Sequence, residues 1–222
     1  MEAPIWYLIP GLGADERVFR RLRLMGTVHV LRWLAPQSPT EPLAHYAARL
    51  ATAVPADVPC WLVGVSFGGL LAQEMGRLRP LARVVLISSL GSPLDLPPAL
   101  RLAGATGVHR LVPFGLLKWM PRLAQWFFGV RGGTEYRLLR QILADTDPAF
   151  ARWATAQLLA WCGPGLPGTV RLHGTRDRLL PAGTARIDFL VPGAGHFLIV
   201  SHAAQVSQLL NELAAAAGSS RN

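Results

Sequence analysis

Short apolar runs alternate with amphipathic stretches along most of the chain. The runs at residues 5–9, 28–34, 61–65, 84–87, 170–172 and 187–191 have strand length and are rich in β-branched and aromatic side chains. Such runs suit strands buried on both faces of a parallel sheet. Between them, helical spacing of apolar positions predicts crossover helices at about 15–24, 41–54 and 67–78, and a last helix at 201–217 with Ser201 as its N-cap. A frayed tail is expected from Gly218 onward. This rhythm of strand and helix predicts an α/β fold with about six mainly parallel strands flanked by helices.

One interval breaks the rhythm. From Ser88 to Thr169 the periodicity is helical, with several Pro and Gly, which predicts a helical lid inserted at about 92–165 in a single domain spanning 1–222. The insertion carries Trp119, Trp126, Phe127, Phe128, Trp153 and Trp161 among many Leu. Those side chains would either pack the lid on itself or cover an apolar substrate pocket.

Composition narrows the class. With 51% hydrophobic and 16% charged residues the chain is not disordered. No run reaches the roughly 18 apolar residues of a membrane span, because the nearest, 111–130, is interrupted by Pro113, Lys118, Pro121 and Arg122. The start, MEAPIWYLIPG, lacks the basic head of a secretory signal, so a mature cytoplasmic protein is expected. Two cysteines, Cys60 and Cys162, make no disulfide framework or metal-type spacing, and buried free thiols are expected. The net charge of +9 raises nucleic acid as a partner, yet the 22 basic residues are scattered without any nucleic-acid-binding motif. A solvated face accounts for the cluster Arg17, Arg20, Arg21 and Arg23.

Candidate chemistry begins at Gly64-Val-Ser66-Phe-Gly68, placed between an apolar strand and a helix. That context makes it a nucleophile elbow, in which flanking glycines let strand and helix approach and leave the serine exposed on a strained turn. A serine hydroxyl needs a base, and the base an orienting acid. Of six histidines, His29 lies at a strand, His45 in a helix, His109 in the lid and His202 at the last helix, while His173 ends a strand and reads as loop architecture. His196, in Gly-Ala-Gly-His-Phe after the last strand, is the base candidate. Loops leaving the C-terminal ends of parallel strands share one rim, so Ser66, Asp177 and His196 emerge together, in the order Ser, Asp, His. Asp95 is an alternative acid; Asp188 falls inside a strand. The oxyanion hole would use the backbone amides of Phe67 and of Leu12 in Ile9-Pro-Gly-Leu-Gly13. Cys60 lies near the opposite rim and fails as a nucleophile, and no ligand cluster calls for a metal or other cofactor.

The segments IPGLG, GVSFGG, HGTRDRLLP and GAGHF resemble the ordered motifs of the α/β-hydrolase superfamily, and PGLGADERVF is similar to small bacterial members. The resemblance covers nearly the whole chain outside the lid. It implies a nucleophile at Ser66, an acid at Asp177, a base at His196 and oxyanion donors at Leu12 and Phe67. Two departures stand out: Pro10-Gly11 replaces the common His-Gly, and the first strand starts so early that the usual N-terminal hairpin is missing, leaving a sheet edge for pairing with a second copy. The implied activity is a carboxylesterase acting on a small apolar ester through an acyl-enzyme. Thioesterase and lactonase chemistry would use the same groups, and a noncatalytic small-molecule-binding homologue would keep the fold without turnover. From Ser92 to Cys162 seven Arg and one Lys face four acids, read as a solvated surface or as a preference for anionic substrates.

Overall fold

The computed structural model of the chain describes residues 3–108, 120–183 and 186–219. Six strands build one sheet: β1 (Ile5–Ile9), β2 (Thr27–Val30), β3 (Cys60–Val65), β4 (Ala82–Ile87), β5 (Val170–Gly174) and β6 (Phe189–Val191). Their order is β2-β1-β3-β4-β5-β6, and every pairing is parallel. Successive side chains of a strand point to opposite faces. Val63, Val85 and Ile87 therefore join one core cluster, while Leu62, Val84 and Leu86 join the other. Helices on both faces explain why all six residues of β3 are buried and why its sequence shows no polar alternation.

Helices α1 (Leu43–Ala51) and α2 (Phe67–Leu78) feed one cluster. The other receives a single 3-10 turn (Glu16–Phe19) and the C-terminal helices, which are labelled below as α7 (Leu198–Ser201) and α8 (Ala203–Ser219). Between β4 and β5 lie a 3-10 turn (Pro93–Asp95) and helices α3 (Pro98–Thr106), α4 (Pro121–Phe128), α5 (Gly133–Asp145) and α6 (Pro148–Ala160). Proline in the first turn fits the ends of α3, α4 and α6, where a missing N–H costs nothing. Asp147 caps α6 by accepting from the Phe150 amide at 2.7 Å.

The inserted helices do not pack only on themselves. Phe150, Trp153 and Trp161 belong to the cluster of α1 and α2, where the Trp153 ring lies 4.4 Å from that of Tyr46 and 5.8 Å from that of Phe67. Ala124, Val130, Leu139, Ile142 and Leu143 belong to the opposite cluster. The segment thus completes both sides of the core.

Several expected boundaries differ, each for a tertiary reason. The helix expected at 15–24 is reduced to the turn at Glu16–Phe19. From Arg23 on, backbone amides turn to side chains of α8: the Arg23 amide donates to Ser207 Oγ and the Met25 amide to Asn211 Oδ1, both at 2.9 Å. Strand β2 ends at Val30 rather than residue 34, because Tyr46 Oη takes both the amide and the carbonyl of Leu34 at 2.9 Å and draws the chain off the sheet. Ser201 is not an N-cap. It closes α7, with its Oγ donating to Phe197 O at 3.2 Å, and α8 starts at Ala203. Gly218 and Ser219, expected in the tail, still belong to α8. Cys60 is buried as expected, whereas Cys162 is exposed. Arg17, read as part of a solvated face, pairs with Asp15 at 2.7 Å and Asp145 at 2.8 Å. His109, Lys118, Trp119 and residues 220–222 lie outside the described residues.

Candidate active site

Strand β3 runs directly into α2 through Ser66, whose backbone has φ 52° and ψ −121°. A non-glycine residue held there costs on the order of 1–3 kcal/mol, so surrounding contacts must hold it. They do. The Ser66 amide donates to Ile87 O at 2.9 Å, and its carbonyl accepts from Gly69 N at 2.9 Å and from Ser89 Oγ at 2.6 Å. Glycine is obligatory on both sides. A Cβ on Gly64 would strike the Gly68 carbonyl, and one on Gly68 would strike the carbonyl oxygens of Pro10 and Ile9.

The structure brings Ser66, His196 and Asp177 into one hydrogen-bonded row. Ser66 Oγ lies 2.9 Å from His196 Nε2, and His196 Nδ1 lies 2.8 Å from Asp177 Oδ2. Three distant loops meet here because they leave the C-terminal ends of β3, β5 and β6 on one rim. Cross-loop bonds fix the alignment: the Arg176 amide donates to Ala194 O at 2.8 Å, and the Gly193 amide to Thr175 Oγ1 at 2.8 Å. The Phe128 and His196 rings meet in a T-shaped arrangement, with centroids 5.5 Å apart, and Phe128 O accepts from the Phe197 amide at 3.0 Å. The inserted segment therefore touches the imidazole loop directly.

Asp177 is buried, and every direction around its carboxylate is used. Oδ1 accepts the amides of Leu179 at 3.0 Å and Leu180 at 2.9 Å, while Oδ2 faces His196 Nδ1 and, at 3.3 Å, His173 Nε2. Burial pushes the carboxyl up, but the His196 charge and the bonds from His173, His196 and Leu180 outweigh it and hold Asp177 well below the usual carboxylate range. An ionised carboxylate can only accept. His196 Nδ1 must therefore carry a proton toward Asp177, which leaves Nε2 as the nitrogen facing the Ser66 hydroxyl.

The loop after β1 lies against this row. A Cβ built on Gly11 would sit 3.4 Å from Ser66 Cβ, and Gly13, at φ 71°, closes a turn in which the Ala14 amide donates to Gly11 O at 2.9 Å. Leu12 stands inside that turn and Phe67 follows Ser66 at the start of α2. Neither amide meets an acceptor among the described residues. Thr146, at the end of α5, backs the turn through Oγ1 to Gly13 O at 3.3 Å.

The competing candidates go elsewhere. Asp95 pairs with Arg171 Nη2 at 2.8 Å and accepts the amides of Gly91 and Ser92. Asp188 does not lie within a strand; it precedes β6 and accepts the Arg171 amide. His29 stacks on Tyr7, His45 bonds Glu41, and His202 bonds Ser201. Three contributors escaped sequence reasoning: His173, which donates to Leu180 O at 2.7 Å and supports Asp177; Ser89, which pins the Ser66 carbonyl; and Thr146. Only His173 left a trace, as the strand-terminal residue of HGTRD. Among the described residues no group of His, Cys, Asp and Glu is arranged to hold a metal ion, and no helix is long and apolar enough to cross a membrane.

Solved structures share the fold at low identity. One is a thermophilic esterase, 18% identical, covering 96% of this chain and 89% of its own with a TM-score of 0.68. A hydrolase from Oleispira antarctica is 15% identical over 95% and 90% of the two chains, with a TM-score of 0.66. A meta-cleavage product hydrolase from Pseudomonas fluorescens IP01 is 18% identical over 97% and 92%, with a TM-score of 0.65. No curated protein matches the sequence. The model of the alpha/beta hydrolase family matches residues 6–209, from the second residue of β1 into α8, and so takes in every segment that meets at Ser66. The chain belongs to the alpha/beta hydrolase family.

Proposed function

We propose that this protein is a serine hydrolase that cleaves carboxylic esters through an acyl-enzyme. The observation that carries the reading is the unbroken row from Ser66 Oγ through the His196 ring to Asp177, with the serine on a strained turn. Ser66 Oγ attacks the ester carbonyl carbon while His196 Nε2 takes the hydroxyl proton. The tetrahedral oxyanion is held by the amides of Leu12 and Phe67. On its collapse the C–O bond breaks and the alcohol leaves with the proton from Nε2. Water, deprotonated by the same nitrogen, attacks the acyl-enzyme, releasing the acid and restoring Ser66. Asp177 fixes the ring and balances its transient charge.

The helices of about 92–165 act as a lid in this reading, supported by Phe128 against His196 and Thr146 against Gly13. An apolar acyl group, or a thioester or lactone, would meet the same chemistry. Esterase structures among the fold relatives favour esters as the first substrates to try.

Ser66→Ala is expected to abolish both the hydrolysis of p-nitrophenyl esters and labelling by a fluorophosphonate. Label persisting on the variant would remove Ser66 from the nucleophile role, and absence of turnover and label in the native chain would favour a noncatalytic binding protein. A panel of acyl lengths on p-nitrophenol and coenzyme A then separates ester from thioester preference.

A further inference from the structure

Helix α4 presents an unusual outer surface. Its Ala124 is fully buried, while Trp126, two residues on and nearly opposite at 100° per residue, is 52% exposed, and Leu123 and Met120 are exposed beside it. Next to this apolar stripe opens a cavity of about 320 Å³ lined by Arg122 and Trp126 of α4, Arg131 just beyond it, Arg176 and Arg178 of the loop carrying Asp177, and Gly195 of the loop carrying His196. Among the described residues no carboxylate lines the cavity. Arg178 is held in place, with its guanidinium 4.6 Å from the centroid of the Trp126 ring and Nη1 donating to Trp126 O at 3.1 Å. Arg122, Arg131 and Arg176 make no ion pair among the described residues, although elsewhere Arg17, Arg49, Arg77 and Arg171 all find acids. The sequence deepens the imbalance: from Leu96 to Thr134 there is no Asp or Glu, against five Lys and Arg.

Four guanidinium groups around one cavity repel one another, and an anion brought among them offsets that cost. A small soluble anion would leave the neighbouring Trp, Leu and Met without a partner. A lipid surface uses both halves, because phosphate headgroups meet the arginines while Trp and Leu enter the boundary between headgroup and acyl chain. We propose that the outer face of α4 and its arginine-lined cavity dock on an anionic phospholipid surface. The surface lies one residue from His196 through Gly195, so docking would bring the candidate active-site rim to the bilayer.

The test is flotation of the full chain with vesicles of phosphatidylcholine alone and of phosphatidylcholine with 30% phosphatidylserine, a composition chosen only to supply negative charge. Binding to the charged vesicles only, weakened by 0.5 M NaCl, is expected. Arg131→Gln with Arg176→Gln should lower the partition about 25-fold, at about fivefold per arginine. Trp126→Ser should lower it further. Arg83→Gln, on the opposite rim over Trp61, should leave it unchanged. Thermal melting by circular dichroism checks that each variant is folded.

Equal binding to both vesicles, equal loss from Arg83→Gln, or no binding at all overturns the proposal. So does inorganic phosphate that saturates the cavity, by calorimetry, in a chain that ignores vesicles. A stable dimer dissolved by Trp126→Ser would assign the face to a second copy and would equally overturn it. Flotation needs no turnover, so none of these results bears on the hydrolase reading.

Discussion

Replacing Asp177 by Asn keeps the shape of the side chain and changes what its two ends can do. Oδ1 accepts two amides, from Leu179 and Leu180, whereas Oδ2 faces two imidazole nitrogens, on His196 and His173. The asparagine oxygen must stay with the two amides, since turning the NH2 group to them would set donor against donor twice. The NH2 group then faces His196 Nδ1. The ring can meet it only by giving up the Nδ1 proton and carrying its proton on Nε2, aimed at Ser66 Oγ. A nitrogen already protonated toward the nucleophile cannot accept the proton of that nucleophile. The expected loss is about 10⁴-fold in kcat, the cost of a wrong tautomer in serine hydrolysis, or about 5.4 kcal/mol at about 1.36 kcal/mol per tenfold. The assay is initial-rate hydrolysis of p-nitrophenyl esters at pH 7.5, with fluorophosphonate labelling rates as a measure of serine reactivity. Circular dichroism melting separates loss of orientation from loss of folding. A folded Asp177→Asn chain retaining activity within tenfold of the native chain would refute the proposed role of Asp177.

Because an imidazole acts as a base only when neutral, kcat/KM should fall on acidification, and a rate independent of pH would count against His196. Asp177 adds no limb there. Its carboxyl is held below the usual range, so its contribution to stability is fully present above the unfolded value of about 3.9 and lost only as pH falls through the lower folded one. Acid titration followed by circular dichroism should therefore show Asp177→Asn to be less acid-sensitive than the native chain, relative to its own stability at neutral pH. Gly68→Ala drives a Cβ into the backbone oxygens of Pro10 and Ile9, which cannot move independently of β1. It should cost about 1–3 kcal/mol, read as a fall in Tm of about 2–12 °C, together with loss of labelling.

The elements legible in the sequence are those whose cause is local or topological. The β3–Ser66–α2 unit could be read because strand, elbow glycines and helix are contiguous, and His196 because the shared rim of a parallel sheet singles out histidines in loops after strands. What stayed hidden depends on partners far along the chain. The turn at Glu16–Phe19 stops short because Ser207 and Asn211 claim the following amides, and β2 ends early because Tyr46 claims Leu34. Asp95 looked like a rival acid since nothing near it in sequence announces Arg171. The arginines of the α4 cavity come from two segments more than forty residues apart, so no window along the sequence could collect them.

Strands β4 and β5 are direct neighbours, with Ile87 paired to Leu172, although four helices among the described residues separate them in sequence. The segment between them leaves after Ile87 and re-enters at Val170, which is paired with Val85, so exit and re-entry lie roughly 8 Å apart and a change in its length need not alter strand register. Its grip is nonetheless firm at two places, Phe128 beside His196 and Thr146 behind Gly13, so any replacement segment would have to rebuild both handholds to keep the rim in place.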